Sequence, residues 1–174
     1  PNILPIYDAG EDDGHCFVVM EYVRGAHPLT AFCRTNNLLP VRKVVEVIFK
    51  CAKALDYAHR NGLIHRDIKP GNIMMTAEGD VRIVDFGVAQ MAGNEAGQLK
   101  GLVGSPSYMA PEQMRQQPSS IQTDLYSLGV VRYELLCGKR PYYGDNLSRL
   151  VRQIIYATAP ASPLPRKMKN STSR

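Results

Sequence analysis

The segment TDLYSLGVVRYELLCG, Thr123 to Gly138, constrains the fold of this chain more than any other. Its spacing predicts a helix opened by Thr123 or Asp124, whose side-chain oxygens can take up free N–H groups of the first turn. Gly138 closes it. Apolar residues fall on nearly every side of that helix, so no stripe of it is suited to water, and it is expected to be buried as a central pillar. The rest of the chain must then supply elements to wrap around it.

One such element is a long amphipathic helix starting near Pro40 and ending before Gly62. Val41, Val44, Val45, Ile48, Cys51, Ala52 and Leu55 recur at three- and four-residue steps, with Arg42, Glu46, Lys50 and Lys53 on the other side. Ahead of it, NILPIYDAGEDDGHCFVVMEYV reads as two short strands joined by an acidic turn, Asp8 to Gly14, with Cys16 to Met20 apolar enough for a buried strand. Two more strands are expected at Ile73–Thr76 and Val81–Val84 around the turn sequence AEGD. A glycine-punctuated loop runs from Gly87 to about Pro118, and a third helix is expected from Asn146 to Tyr156. No internal repeat is present. The fold class is mixed α/β (α+β). The last residues, 161–174, are Pro-rich and then basic, and are expected to form a disordered tail.

At 174 residues and 19.3 kDa the chain suffices for one domain. With 44 % hydrophobic and 21 % charged residues it falls outside the disordered and fibrous classes. The formal charge of +5 is scattered, with no basic run before the tail, so nucleic acid is not an expected partner. Cys16, Cys33, Cys51 and Cys137 form no C-x-x-C pair. They read as reduced thiols packed in a core, which points to a reducing, cytoplasmic setting. No apolar run is long enough to cross a bilayer, and no signal peptide is visible. The chain starts at Pro1, directly in strand-like sequence, and reads as a fragment of something longer.

The functional signal lies in LIHRDIKPGNIMM, Leu63 to Met75, where His65, Arg66, Asp67, Lys69 and Asn72 crowd the edge of an apolar segment. Alone, such a cluster is most often a salt-bridged turn after a helix. It is followed in order by VDFG at Val84 to Gly87, placed after a strand, and by GSPSYMAPE at Gly104 to Glu112. This ordered set, with TDLYSLG beyond it, resembles the eukaryotic-type protein kinases, most closely the bacterial Ser/Thr kinases of that type. The likeness runs from Pro1 to about Ile155.

The resemblance implies a partial kinase domain over 1–160: the end of the small lobe and the hinge in 1–23, and the large lobe in 24–160. It implies ATP and Mg²⁺ as cofactors and proteins with Ser or Thr acceptors as substrates. Asp67 matches the catalytic aspartate that accepts the substrate hydroxyl's proton, and Lys69 the lysine that balances charge on the moving phosphate. Asn72 and Asp85 match the two metal-holding residues, and their hard oxygens suit magnesium. Met20 matches the gatekeeper, Glu21 and Val23 the hinge whose backbone meets adenine, and Met74 the residue beneath the ring. For both methionines plain core packing explains the residue type nearly as well. His65, Phe86 and Ile6 match a packed column; Gly87 completes the D-F-G motif. Asp124 matches the aspartate that holds the catalytic loop's backbone, although a simple helix cap also fits. His15, His27 and His59 carry no motif and read as surface or packing residues.

Three expectations follow from departures. The glycine-rich loop, strand lysine and partner glutamate of the family are absent from the sequence, so the chain alone is expected to bind Mg-ATP very weakly. The arginine that pairs with the A-P-E glutamate is also absent, which would leave Glu112 unpaired. Arg66 usually marks kinases switched on by a phosphate, yet no Ser, Thr or Tyr stands between Asp85 and Gly104. Ser105 matches a residue that contacts the catalytic pair, so regulation through loop phosphorylation is not expected. Two rivals stay open: a non-catalytic kinase-like binding module, against which intact Asp67, Asn72 and Asp85 argue, and a small-molecule phosphotransferase, against which Lys69 and the peptide-docking segment Gly104 to Glu112 argue.

Overall fold

A computed structural model describes residues 2–86, 106–158 and 160–161. Its elements follow the order β1 (Ile6–Asp12), β2 (His15–Met20), β3 (His27–Pro28), α1 (Val41–Arg60), β4 (Ile73–Met75), β5 (Val81–Ile83), α2 (Pro111–Met114), α3 (Ile121–Cys137) and α4 (Leu147–Tyr156). Each strand and helix foreseen from the sequence is present, most with ends shifted by a residue or two; the exception is β1, which continues through Asp8 to Asp12, pairing with β2 where an acidic turn from Asp8 to Gly14 was expected. Gly87, Ser105 and nearly all of the tail from residue 161 onward lie outside the described residues.

The core forms where α1 and α3 meet a small sheet. From α1 come Val44, Val47, Cys51, Ala54 and Leu55; from α3, Leu128, Val131 and Leu135; from the strands, Ile73, Met75, Val81 and Ile83. The buried stripe of α1 is rotated from the expected one. Val45 is 61 % exposed, because the helical repeat carries it away from the line through Val44, Val47 and Cys51. Ile48 and Ala52 lie at the stripe's margin.

α3 begins two residues before Thr123. The Thr123 hydroxyl accepts from the Ser120 backbone N–H at 3.0 Å, so it works from inside the first turn. At the other end Gly138 adopts φ of 68°, and a Cβ there would lie 2.8 Å from the Thr35 backbone nitrogen. Only glycine fits that close approach. The pillar expectation holds for one side of α3: among the described residues nothing covers Ile121 or Leu125, and both are exposed.

The strands form two sheets. β3, β4 and β5 make an antiparallel sheet in that order. β1 and β2 pair as an antiparallel ribbon, Asp12 opposite His15 and Ile6 opposite Met20. The ribbon is tied at its base by Leu4 N–H donating to Ile83 O at 2.9 Å and Ile83 N–H donating to Asn2 O at 2.8 Å. β2 is not the buried strand its apolar run suggests. Phe17, Val19 and Met20 are exposed, since no described element lies against either face of the ribbon. No described helix is long and apolar enough to cross a membrane.

All four cysteines are free thiols. Burial pushes the Cys51 thiol up to about 12, and it does the same for Cys33, helped by the nearby Glu134 carboxylate. Neither is a reactive thiol. Core truncation distinguishes the observed α1 stripe from the expected one. Leu55→Ala should lower unfolding free energy by about 2–5 kcal/mol, while Val45→Ala should change it by less than about 0.5 kcal/mol. Urea unfolding of the two variants checks this, and equal losses would show that Val45 is packed.

Candidate active site

The loop between α1 and β4 is held by a single carboxylate from α3. Asp124, 0 % exposed, accepts from His65 N–H at 2.9 Å and from Arg66 N–H at 2.8 Å. His59 Nε2, in the last turn of α1, lies 2.7 Å from the same carboxylate. A buried anion is tolerable only when donors surround it, and three do so here. The helix-cap reading of Asp124 is thereby displaced, because its oxygens point at the loop instead of its own first turn.

Held in this way, Arg66 takes a φ of 69°. That left-handed conformation is uncommon for a non-glycine residue and persists where surrounding contacts over-determine it. Gln113 adds to the hold, its Nε2 donating to Arg66 O at 2.9 Å while its Oε1 accepts from Ala110 N–H. The sharp turn at Arg66 leads directly to Asp67, whose side chain is half-buried.

Asp67 gathers its neighbours. Lys69 Nζ is 2.5 Å from Asp67 Oδ2, and Asn72 Nδ2 donates to Asp67 Oδ2 at 3.0 Å and to Asp67 O at 2.9 Å. With Nδ2 spent on Asp67, the oxygen of the Asn72 amide is its remaining polar atom. Asn72 O accepts from Val84 N–H at 3.0 Å, so the end of β5 and Asp85 lie beside it. Asp85 is exposed, with φ of 63°. An amide oxygen and an exposed carboxylate are hard oxygen donors, the set that a magnesium ion takes.

His65 joins the backbone at Asp67 to the backbone at Val84, the residue before Asp85, through its two nitrogens. Nε2 lies 2.8 Å from Val84 O, which can only accept, so Nε2 carries the proton. Nδ1 is then free to accept from Asp67 N–H at 3.2 Å. The His65 ring meets Phe86 edge-on, with centroids 4.6 Å apart. Ile6, expected in the same column, is 45 % exposed and outside the core; Ile3 packs against that core instead.

The remaining sequence-derived positions are less concentrated. Met20 is 37 % exposed on the ribbon, and Glu21 and Val23 are half-buried just after it, with Glu21 N–H donating to Pro5 O at 3.0 Å. The chain beyond them, His27–Pro28, pairs with Met74 and Met75, which follow the Asp67 loop. Met74 is half-buried. Glu112 has no cation within 4 Å among the described residues, but it is not bare: the Thr123 hydroxyl donates to it at 2.6 Å. His59, read as a surface or packing residue, meets a partner 65 positions away, and Gln113 was not singled out at all. Only the folded arrangement of α1, α2 and α3 brings them to the loop.

The chain is similar in sequence to known proteins over most of its length. The sequence profile described as "Protein kinase domain" matches residues 1–173. A probable serine/threonine-protein kinase PknB of Bifidobacterium longum is 40 % identical over 179 residues, covering 95 % of this chain and 26 % of the relative. A probable serine/threonine-protein kinase of Clostridium acetobutylicum is 40 % identical over 166 residues, covering 94 % of this chain and 25 % of the relative. Serine/threonine-protein kinase PknB of Mycobacterium leprae is 38 % identical over 152 residues, covering 84 % and 24 %. The chain thus spans about a quarter of the length of the curated relatives it matches.

Removing the carboxylate that pins the loop tests this construction. Asp124→Ala removes the carboxylate that accepts from the His65 and Arg66 N–H groups and should destabilise the chain by about 2–5 kcal/mol. Amide hydrogen exchange at His65 and Arg66 should accelerate more than at Ile73 or Val81. Uniform acceleration across all four would place the role of Asp124 in general packing.

Proposed function

The chain belongs to the protein kinase family, and on that premise we propose that the protein carrying it transfers the γ-phosphoryl group of ATP to serine or threonine hydroxyls of protein substrates. One observation carries the reading: the Asp67 carboxylate meets the Lys69 ammonium and the Asn72 amide on a loop whose backbone Asp124 holds in place. Phosphoryl transfer depends chiefly on positioning and on placing charge where it develops. This cluster offers both.

Asp67 orients the incoming hydroxyl and takes its proton. Lys69, beside it, lies where it can also balance charge on the phosphate being transferred. The Asn72 amide oxygen and the Asp85 carboxylate are the groups that would hold magnesium. Mg-ATP, when bound, would supply the phosphoryl group and the positive charge that offsets the charge developing on it. His65 keeps the two halves of the site in register, through Asp67 N–H on one side and Val84 O on the other. We assign residues 1–23 to the end of a small lobe and its hinge, with Met20, Glu21, Val23 and Met74 facing adenine, and residues 24–160 to a large lobe. To Phe86 with Gly87, Ser105 and Glu112 we assign the structural roles that the family motifs give them. The serine/threonine preference rests on Lys69 and on the names of the relatives, and ATP use with free thiols suits a cytoplasmic domain.

Kinase assays on the full-length protein test this. Asp67→Asn should lower kcat by about 100-fold or more, with a melting temperature close to that of the parent. Asp85→Asn should raise the magnesium concentration needed for half-maximal rate. Phosphoamino-acid analysis should return phosphoserine and phosphothreonine. Near-normal turnover of Asp67→Asn, or products dominated by phosphotyrosine, would refute the assignment.

A further inference from the structure

The segment ahead of α2 is seated on α3 by a set of bonds in which, among the described residues, one positive charge meets no opposite charge. The Ser127 hydroxyl donates to Tyr108 O at 2.7 Å, and the Tyr108 hydroxyl donates to the Glu134 carboxylate. Arg140 Nη1 donates to the Ser107 hydroxyl at 2.6 Å. Glu134 is buried, and Tyr108 covers it, with burial and that carboxylate raising the phenol's pKa. Arg140 differs. It is half-buried, has no carboxylate within 4 Å among the described residues, and donates Nη1 to a neutral hydroxyl.

A guanidinium set in place this firmly is unusual without an anion. Its planar fork matches a carboxylate or a phosphate, and such charged pairs are far stronger than the single bond to Ser107. The loop that carries it is fixed from both ends. Gly138 packs directly against the Thr35 backbone, and Pro141 holds the preceding residue, Arg140, to extended conformations. Lys139, exposed beside it, adds positive charge.

The same segment is wired to the Asp67 loop. Gln113 bonds both Ala110 and Arg66, the residue before Asp67. That link sets the segment beside the Asp67 loop, and each residue of a peptide presenting its hydroxyl to Asp67 would extend its chain by roughly 3.3 Å. We propose that Arg140 is a specificity-determining residue that binds an anionic side chain, a carboxylate or a phosphate, of the acceptor protein near the phosphorylated hydroxyl. This rests on the kinase reading above and adds to it a class of substrate, acceptors with an acidic or already phosphorylated flank.

The experiment uses the full-length protein and a set of acceptor peptides differing at single positions within about four residues of the acceptor. Each position carries alanine, lysine, glutamate or phosphoserine in turn. One position should show kcat/KM about 10-fold or more above alanine for the anionic residues, mainly through KM. The phosphoserine and glutamate arms tell which anion the site prefers. Arg140→Gln should bring the anionic-to-alanine ratio at that position close to one, Arg140→Lys should retain part of it, and Arg140→Glu should favour lysine there. A clamp that merely steadies Ser107 would lower all peptides together and leave the ratio unmoved, which would overturn the inference. So would the absence of any anionic preference in the parent, with transfer to serine peptides otherwise intact. Failure to phosphorylate every peptide would overturn the kinase reading itself, and this inference with it.

Discussion

Everything chemical in this chain depends on one buried carboxylate. Asp124 sits on α3 without solvent, yet its oxygens receive two backbone N–H groups from the Asp67 loop and lie against the His59 ring. An anion in that place is stable only because the loop wraps it, and the loop has its turn at Arg66 only because the anion is there. Helix, loop and the end of α1 therefore form one unit, and displacing any of them exposes a charge or strands a donor. The cluster at Asp67, the ring of His65 and the contact with Phe86 are all built outward from it.

The two halves of the described chain are supported very differently. Around α1, α3 and the β3–β4–β5 sheet, apolar side chains interlock, and the site hangs from that body. The β1–β2 ribbon stands apart, joined to β5 mainly by backbone hydrogen bonds through residues 2–4 and showing apolar residues on its surface. Two strands alone bury too little to be stable in water. The part of the molecule expected to meet adenine is thus its least supported part, while the part that would handle the phosphate and the hydroxyl is the most firmly held.

How much of this was legible in the sequence follows from distance along the chain. Asp67, Lys69 and Asn72 announced themselves because they act within one short loop, where their contacts are local and their spacing is the geometry. Helix α1 and the glycine ending α3 were legible for the same reason: each depends on neighbours a turn away. The pairing of His59 with Asp124 was not, since a histidine at the end of an amphipathic helix has no local mark of its distant partner. Val45 was placed on the wrong side because two adjacent valines cannot both lie on a narrow stripe, and composition does not say which one does. Cys16 to Met20 looked buried because apolar strands usually are; what decides burial is whether anything covers them. Glu112 was expected to stand alone, and the hydroxyl that meets it comes from Thr123, which had seemed to be only a helix cap.

Arg66 and Asp85 share a feature whose meaning reaches beyond geometry. Both hold left-handed backbone conformations at the edges of the same cluster, where glycine would sit with less strain and arginine sits with more. Selection for stability alone would drift towards glycine or asparagine at these two positions, whereas selection for a working cluster keeps the side chains. They mark the places where an engineer who puts glycine at every left-handed position to harden this protein would quietly trade away what it does.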